Sequence, residues 1–310
     1  MQSTKVMMEN ESKKLNGASV GIPARLMEFK FPEETPKFFF YENNALASSL
    51  FAVFSGIFPP GERFFVESVR HFRDRITDEN LRAEVSGFIG QESIHGREHE
   101  RLNEWFLQRG YDMAMPERMI RFSLKLLEQL PPSQQLACTT FMEHFTALLA
   151  EQWLTDEDFR SKADPEMLQM WSWHGLEELE HKAVAYDVHQ QVSKNEYLER
   201  CLAGPLVVSA LLPGIIFSWG WLVVKQGEAG NLRGHRHAVR ALFGKGGFLR
   251  KILPKMPDYL ARDFHPEKHS TQNIEQLWRA KLFGEQGELL SQFRNRDAVT
   301  KAARSAISTH

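Results

Sequence analysis

The stretch WSWHGLEELEHKA, residues 171–183, has helical character but places ionisable residues where apolar ones are expected. His174, Glu178 and His181 follow the spacing i, i+4 and i+7, which puts them on one face of a helix. Methionine, tryptophan and valine residues precede and follow them on that same face. A polar set inside an apolar stripe predicts a face that points into the protein interior, where these side chains need a partner.

The same pattern recurs in three other segments that are predicted to be helical. In one of them, Glu92 and His95 lie in the apolar stripe, and His99 follows one turn later. Two further helices each place a single glutamate, Glu62 or Glu143, in an inward apolar stripe. Four helices therefore contribute Glu, Glu-x-x-His, Glu and Glu-x-x-His in chain order, which is the ligand set of ferritin-like di-iron and di-manganese bundles.

Helical periodicity extends from Asn44 almost to the C-terminus, and strand signals are nearly absent. We expect PPG at residues 59–61 to interrupt the first helix, and ADPE at 163–166 to open one that continues to Val192. The predicted helices cover residues 44–58, 61–76, 78–109, 116–130, 133–153, 164–192 and 271–293. Short connectors then predict an all-α, ferritin-like four-helix bundle with an N-terminal arm and additional C-terminal helices.

Three regions are predicted along the chain: a tail and extended arm (1–40), the helical bundle (41–197) and a C-terminal helical extension (198–310). Within the extension, residues 201–224 carry no charge and reach the length of a transmembrane helix. Three locations are alternatives for this segment: it packs against the bundle, lies in a homodimer interface, or contacts a membrane surface. The basic residues that follow this segment suit a headgroup surface.

Composition limits the class of protein. The 310 residues are 42% hydrophobic and 25% charged, with a formal net charge of −2, which does not favour nucleic acid as a partner. Two isolated cysteines, Cys138 and Cys201, exclude a disulfide framework and a thiolate zinc site. They fit a reducing compartment, and the polar N-terminus does not have the pattern of a signal peptide. We therefore expect a cytoplasmic protein, with membrane association through 201–224 as an alternative.

The charges of the inward residues indicate a metal centre. Four carboxylates in an apolar core would repel each other, and two divalent ions would neutralise them. Ligands rich in oxygen with a few histidines suit two iron ions, or manganese or a mixed Mn/Fe pair, better than structural zinc. The predicted ligands are Glu62, Glu92, His95, Glu143, His174, Glu178 and His181. We expect His99 to support a ligand, and Glu177 and Glu180 to be solvated; a metal-free bundle is the alternative.

The order of these residues resembles the ligand signature of the di-iron arylamine N-oxygenases, such as p-aminobenzoate N-oxygenase, which also carry the extra fourth-helix histidine. Over about residues 20–290, the chain resembles a bacterial family catalogued as predicted metal-dependent hydrolases. The segments that carry this second resemblance are PPGERFF, GQESIHGREH and LEELEHKAVAYDV. Both resemblances imply a metal centre.

The first functional hypothesis is an oxygen-activating di-iron enzyme that requires dioxygen, an electron donor and a small apolar substrate. Glu92 and Glu178 would bridge the irons, and Phe58, Phe65, Phe88, Met170 and Trp171 would shield the centre from water. Glu62 with His95 would complete one iron, and Glu143 with His181, and in one version His174, the other. The alternatives are a hydrolase that uses a di-metal-bound hydroxide and a non-catalytic iron-binding protein.

Overall fold

The computed structural model describes residues 15–31, 34, 37, 38, 40 and 43–307. The structure is 74% helical, and its described residues form no β-strand beyond an isolated bridge between Met27 and Phe293. The helices are α1 Ala45–Arg70, α2 Glu79–Gln108, α3 Ala114–Leu127, α4 Pro132–Thr155, α5 Glu157–Ser161, α6 Pro165–His181, α7 Val184–Val192, α8 Glu196–Lys225, α9 Leu232–Phe243, α10 Gln272–Phe283 and α11 Arg296–Ile307. The prediction of an all-α fold is confirmed.

Side-chain caps explain where three of the long helices begin. Asn44 Oδ1 accepts a hydrogen bond from the Ala47 amide (3.0 Å), and Asp78 Oδ1 accepts one from the Leu81 amide (2.7 Å). The Asp164 carboxylate accepts from two amides in the first turn of α6. Each cap satisfies amides that have no partner within the helix, which fixes the helix start at the predicted residue.

The predicted interruption of the first helix is wrong, because α1 continues through Pro59 and Pro60. Proline has no N–H, so Pro59 leaves the carbonyl of Ser55 without its helical partner. Asn103 of α2 supplies the missing donor, since its Nδ2 lies 3.1 Å from that carbonyl oxygen. A side chain from the neighbouring helix thus compensates for one of the two lost helical hydrogen bonds.

Other helix bounds also differ from the prediction. The helix that begins after Asp164 ends at His181, and α7 follows after a turn at 182–183. The helix predicted over 271–293 ends at Phe283, because the chain turns away at Gly284, where a Cβ would lie 2.4 Å from the Ala280 carbonyl oxygen. A further helix, α11, forms near the C-terminus. The polar tail predicted at the N-terminus falls mostly on residues 1–14, outside the described part of the chain.

Helix packing places the four helices that carry the inward ionisable residues around one interior. Helix α1 packs along α2, and α4 packs along α6. Contacts of α1 with α4 and of α2 with α6 join the two pairs. Helix α8 lies against α3 and α4, and α10 lies against α6. The more specific assignment to a ferritin-like bundle remains a prediction.

The N-terminal arm packs closely on α2. A Cβ at Gly87 would lie 2.4 Å from the Ile22 carbonyl oxygen, and one at Gly90 would lie 2.6 Å from the Ala24 Cβ. Only glycine permits this approach of the arm to the helix. On its other side, the arm contacts the C-terminal extension, where the Arg294 amide donates to the Leu26 carbonyl (2.8 Å). The arm is therefore held between α2 and the end of the chain.

Candidate metal centre

Eight buried ionisable side chains meet between α1, α2, α4 and α6. Each is at most 2% exposed, and each offers an oxygen or nitrogen atom within 4.8 Å of such atoms from two others. The eight are Glu62, Glu92, His95, His99, Glu143, His174, Glu178 and His181. The structure thus brings together all seven residues predicted as metal ligands, together with His99.

Two glutamates connect the two halves of this cluster. Glu178 Oε1 lies 2.8 Å from His174 Nε2, while its other oxygen lies 3.8 Å from His181 Nε2. Glu92 Oε1 lies 3.8 Å from His95 Nδ1 and 3.0 Å from His181 Nε2. Glu92 and Glu178 therefore face donors on both sides, which is the position that a bridging ligand requires.

The remaining residues divide between the two halves. Glu62 Oε1 lies 3.9 Å from His174 Nε2, and Glu143 Oε2 lies 3.5 Å from His181 Nε2. The version of the hypothesis that grouped His174 with Glu143 is wrong, because His174 lies with Glu62 and His95. The cause is helix geometry: His174 is one turn before Glu178, whereas His181 is one turn after it, so they extend in opposite directions.

Nine buried donor and acceptor atoms in this cluster have no hydrogen-bond partner. They are both carboxylate oxygens of Glu62, Glu92 and Glu143, Oε2 of Glu178, Nδ1 of His95 and Nε2 of His181. Buried polar atoms without partners are costly and rare in folded proteins. Carboxylate oxygens and imidazole nitrogens are the donors that iron and manganese accept, so this set fits a pair of divalent cations.

Burial shifts the pKa values of the clustered glutamates. Burial and neighbouring carboxylates raise the pKa of Glu62 well above its ordinary value. Burial also raises the pKa of Glu143, and that of Glu92 to about 7. Burial opposes ionisation of Glu178 too, but the neighbouring His174 and His181 imidazoles lower its pKa. Burial therefore favours the protonated forms of Glu62, Glu92 and Glu143 unless positive charge lies beside them.

A chain of hydrogen bonds fixes which nitrogen of His174 faces the cluster. Asn103 Nδ2 donates to the Ser55 carbonyl, so its Oδ1 accepts from the Ser55 hydroxyl (2.7 Å). Ser55 Oγ then accepts from His99 Nδ1 (2.9 Å). His99 Nε2 in turn accepts from His174 Nδ1 (2.8 Å). In the neutral ring, this sequence leaves the lone pair on His174 Nε2, the nitrogen that lies 2.8 Å from Glu178 Oε1.

The other two inner histidines are oriented in the same way. His95 Nε2 donates to Glu177 Oε2 (2.9 Å), which leaves Nδ1 free to act as a ligand. The Gln91 amide donates through Nε2 to the Pro23 carbonyl (3.2 Å) and accepts through Oε1 from His181 Nδ1 (2.9 Å). In the neutral ring, His181 Nε2 is then the lone-pair nitrogen. Such outer partners are typical of metal-binding histidines.

Arg25 of the N-terminal arm neutralises the outer carboxylates. Its Nη1 lies 2.8 Å from Glu177 Oε1 and 2.7 Å from Glu180 Oε2. All three side chains are at most 3% exposed. The prediction that Glu177 and Glu180 are solvated is therefore wrong. Glu177 accepts a hydrogen bond from His95, and Glu180 accepts one from Gln91, so both connect the arm to the histidines.

The sequence carries little signal for this outer network. Helix α6 is buried on nearly every face, and periodicity separates faces only when one of them is exposed to water. Arg25 lies in an arm without regular periodicity, and its partners are about 150 residues away in the chain. The sequences around Ser55 and Asn103 likewise contain no pattern that marks these two residues as functional.

Aromatic side chains surround the histidines. The Phe58 ring lies 4.5 Å from the His174 ring and 4.7 Å from the His99 ring, measured between centroids. Phe88 lies 5.0 Å from His181. These two residues were predicted to shield the centre, and Trp173, 4.8 Å from His95, adds to the wall. The cluster is thus enclosed by apolar surface.

A family model described as "Predicted metal-dependent hydrolase" matches residues 23–270. The match spans Arg25 of the arm and all eight residues of the cluster. No curated protein and no solved structure matches the chain.

Replacing Arg25 by methionine should strongly destabilise the protein, because buried Glu177 and Glu180 would lose their shared cation, and Arg279 would remain only beside Glu180. We expect a loss of about 3–5 kcal/mol in the free energy of unfolding, measured by chemical denaturation at neutral pH. The control is Arg294→Met, which removes one partner of a half-exposed ion pair with Glu28 and should have a much smaller effect. Equal stability of the two variants would contradict the role assigned to Arg25.

Proposed function

Because the chain belongs to the family of predicted metal-dependent hydrolases, we propose that the cluster binds two divalent metal ions and that the protein is a metal-dependent hydrolase. The observation that carries this proposal is the convergence of nine buried donor atoms without hydrogen-bond partners. Two divalent cations would supply partners for these atoms and would neutralise the four carboxylates.

The distances support a specific assignment of ligands. One ion would be held by Glu62, His95 and His174, and the other by Glu143 and His181. Glu92 and Glu178 would be shared, since each faces nitrogen donors of both halves. We propose iron or manganese, because both accept carboxylates and imidazoles together.

When bound, two such ions polarise a carbonyl or phosphoryl oxygen and lower the pKa of a water nucleophile. The chain's own residues prepare the site for this chemistry. Glu177, Gln91 and His99 orient the three inner histidines. The aromatic side chains around them exclude bulk water, which strengthens the electrostatic interactions of the site.

A second candidate function is oxygen activation by two iron ions on a small apolar substrate, with electrons from an external donor. The composition of the donor set favours it, since four glutamates and two Glu-x-x-His pairs on four helices match di-iron carboxylate proteins. The aromatic wall formed by Phe58, Phe88 and Trp173 suits an apolar substrate. The family description supports hydrolysis instead.

Metal stoichiometry tests the ligand assignment. The protein loaded with Mn²⁺ or, without oxygen, Fe²⁺ should retain two ions per chain after gel filtration, measured by mass spectrometry of the elements. Glu92→Gln and Glu178→Gln should lose both ions, because each removes a shared ligand. Glu62→Gln and Glu143→Gln should each retain the ion of the opposite half.

The matched control is Glu104→Gln, which changes an exposed glutamate of α2 and should retain both ions. Full metal occupancy in Glu178→Gln would contradict the assignment of Glu178 as a shared ligand. Wild-type protein that binds no metal would overturn the proposed function altogether.

Isotope labelling separates the two candidate reactions. Metal-loaded protein should cleave members of a panel of esters and phosphoesters without oxygen, and should incorporate ¹⁸O from labelled water into the product. The Glu178→Gln variant serves as the inactive control. Oxygen consumption with an apolar amine or hydrocarbon substrate, and ¹⁸O incorporated from labelled dioxygen, would instead establish the second candidate and exclude hydrolysis.

The hydrogen-bond chain to His174 should set metal affinity. Ser55→Ala breaks this chain, so His174 Nε2 is no longer held as the lone-pair nitrogen. We expect metal affinity to fall roughly 10- to 100-fold, measured by competition with a chelator. Ser68→Ala is the control, because it also removes a buried hydroxyl from α1 but one that bonds to Thr139, outside the cluster. Equal affinities of the two variants would exclude a positioning role for Ser55.

A further inference from the structure

Helix α8 exposes a continuous apolar stripe that the proposed function does not use. Seven of its large apolar side chains are 46–60% exposed, and no charged residue lies among residues 201–224. By length and composition the helix could cross a membrane, although this alone is weak support for a membrane role. The exposed side chains are Leu198, Leu202, Val208, Leu212, Ile216, Phe217 and Val224.

The opposite face of α8 is part of the protein core. Ala203, Val207 and Leu211 are buried there, and a Cβ at Gly204 would lie 3.1 Å from the Phe141 ring. Near its C-terminal end, Trp219 Nε1 donates to the Leu46 carbonyl of α1 (2.7 Å). A helix packed in this way can rest in a bilayer surface on its exposed side but does not cross the bilayer without losing these contacts.

Two helices with exposed cations contact α8: α3 packs against it, and Phe243 of α9 lies 6.4 Å from Trp219 of α8, measured between ring centroids. Helix α3 exposes Phe122 (62%) and Leu126 (45%) beside Arg118 and Lys125, and beside Arg121, which pairs with Glu117. Helix α9 exposes further apolar side chains with three arginines and has no acidic residue: Leu232, Val239, Phe243, Arg233, Arg236 and Arg240. Residues 225–255 contain eight lysines and arginines against one acidic residue, Glu228.

We propose that this surface, formed by the exposed faces of α3, α8 and α9, binds an anionic phospholipid membrane. Apolar side chains flanked by lysine and arginine are complementary to a bilayer whose acyl region lies beneath negatively charged headgroups. A symmetric dimer through the same stripe would place the cationic helices of both copies around one interface, where they would repel each other. Charge complementarity therefore favours the lipid surface.

Flotation of the full-length, metal-loaded protein with vesicles tests this proposal. Protein should bind vesicles of phosphatidylcholine with about 30% phosphatidylglycerol far better than pure phosphatidylcholine vesicles, and binding should weaken as salt is added. The double variant Arg236→Gln/Arg240→Gln should bind roughly 30-fold more weakly. Ile216→Gln/Phe217→Gln should lose at least about tenfold through its reduced apolar surface.

The control is Arg296→Gln/Lys301→Gln, which removes two exposed cations from α11, outside this surface, and should bind like the wild type. Absent binding, equal binding to both kinds of vesicle, or unchanged binding of the α8 and α9 variants would overturn the proposal. A stable dimer, measured by light scattering, that dissociates in Ile216→Gln/Phe217→Gln without any vesicle binding would assign the stripe to self-association instead.

Discussion

Burial of four glutamates at one point in an apolar interior is the constraint on which the rest of the structure depends. Carboxylates cannot all remain ionised there without positive charge, because burial and mutual repulsion favour their protonated forms. The surrounding helices supply three imidazoles with inward nitrogens, and within the described residues the ion-pair partners of these four glutamates are all histidines. The centre is therefore built for cations that the polypeptide itself does not provide.

The orientation of the histidines depends on backbone carbonyls at two places outside the centre. The carbonyl of Ser55 is free because Pro59 has no N–H, and it fixes the amide of Asn103. The carbonyl of Pro23 does the same for Gln91. A carbonyl oxygen can only accept a hydrogen bond, so the NH₂ group of each side-chain amide must face it. The amide oxygen then accepts a hydrogen bond on its other side, from His181 directly or from Ser55 next to His99, and this fixes which histidine nitrogen carries the proton. The prolines in α1 thus contribute to ligand geometry rather than ending the helix.

Sequence patterns predicted the all-α class and the residues that converge, because each of those residues interrupts an apolar stripe in its own helix. This signal is local and needs no knowledge of the partner. The patterns failed for Glu177 and Glu180, whose burial depends on a distant arginine, and for PPG, whose effect depends on Asn103 of the next helix. The grouping of His174 also required the helices to be packed. In each case the deciding interaction joins segments that are remote in the chain.

The support of the centre comes from all three predicted regions rather than from the bundle alone. Arg25 of the arm and Arg279 of α10 both donate to Glu180, at 2.7 Å and 2.9 Å. In a fragment of residues 41–197, Glu177 and Glu180 would either stay buried without these cations or become exposed to water. Exposure would release Gln91 and His95 from their outer partners. The division at residues 40 and 198 remains a prediction, and the ion pairs of Glu180 cross both positions. The arm and the extension therefore both supply cations to α6, the helix that carries Glu177 and Glu180.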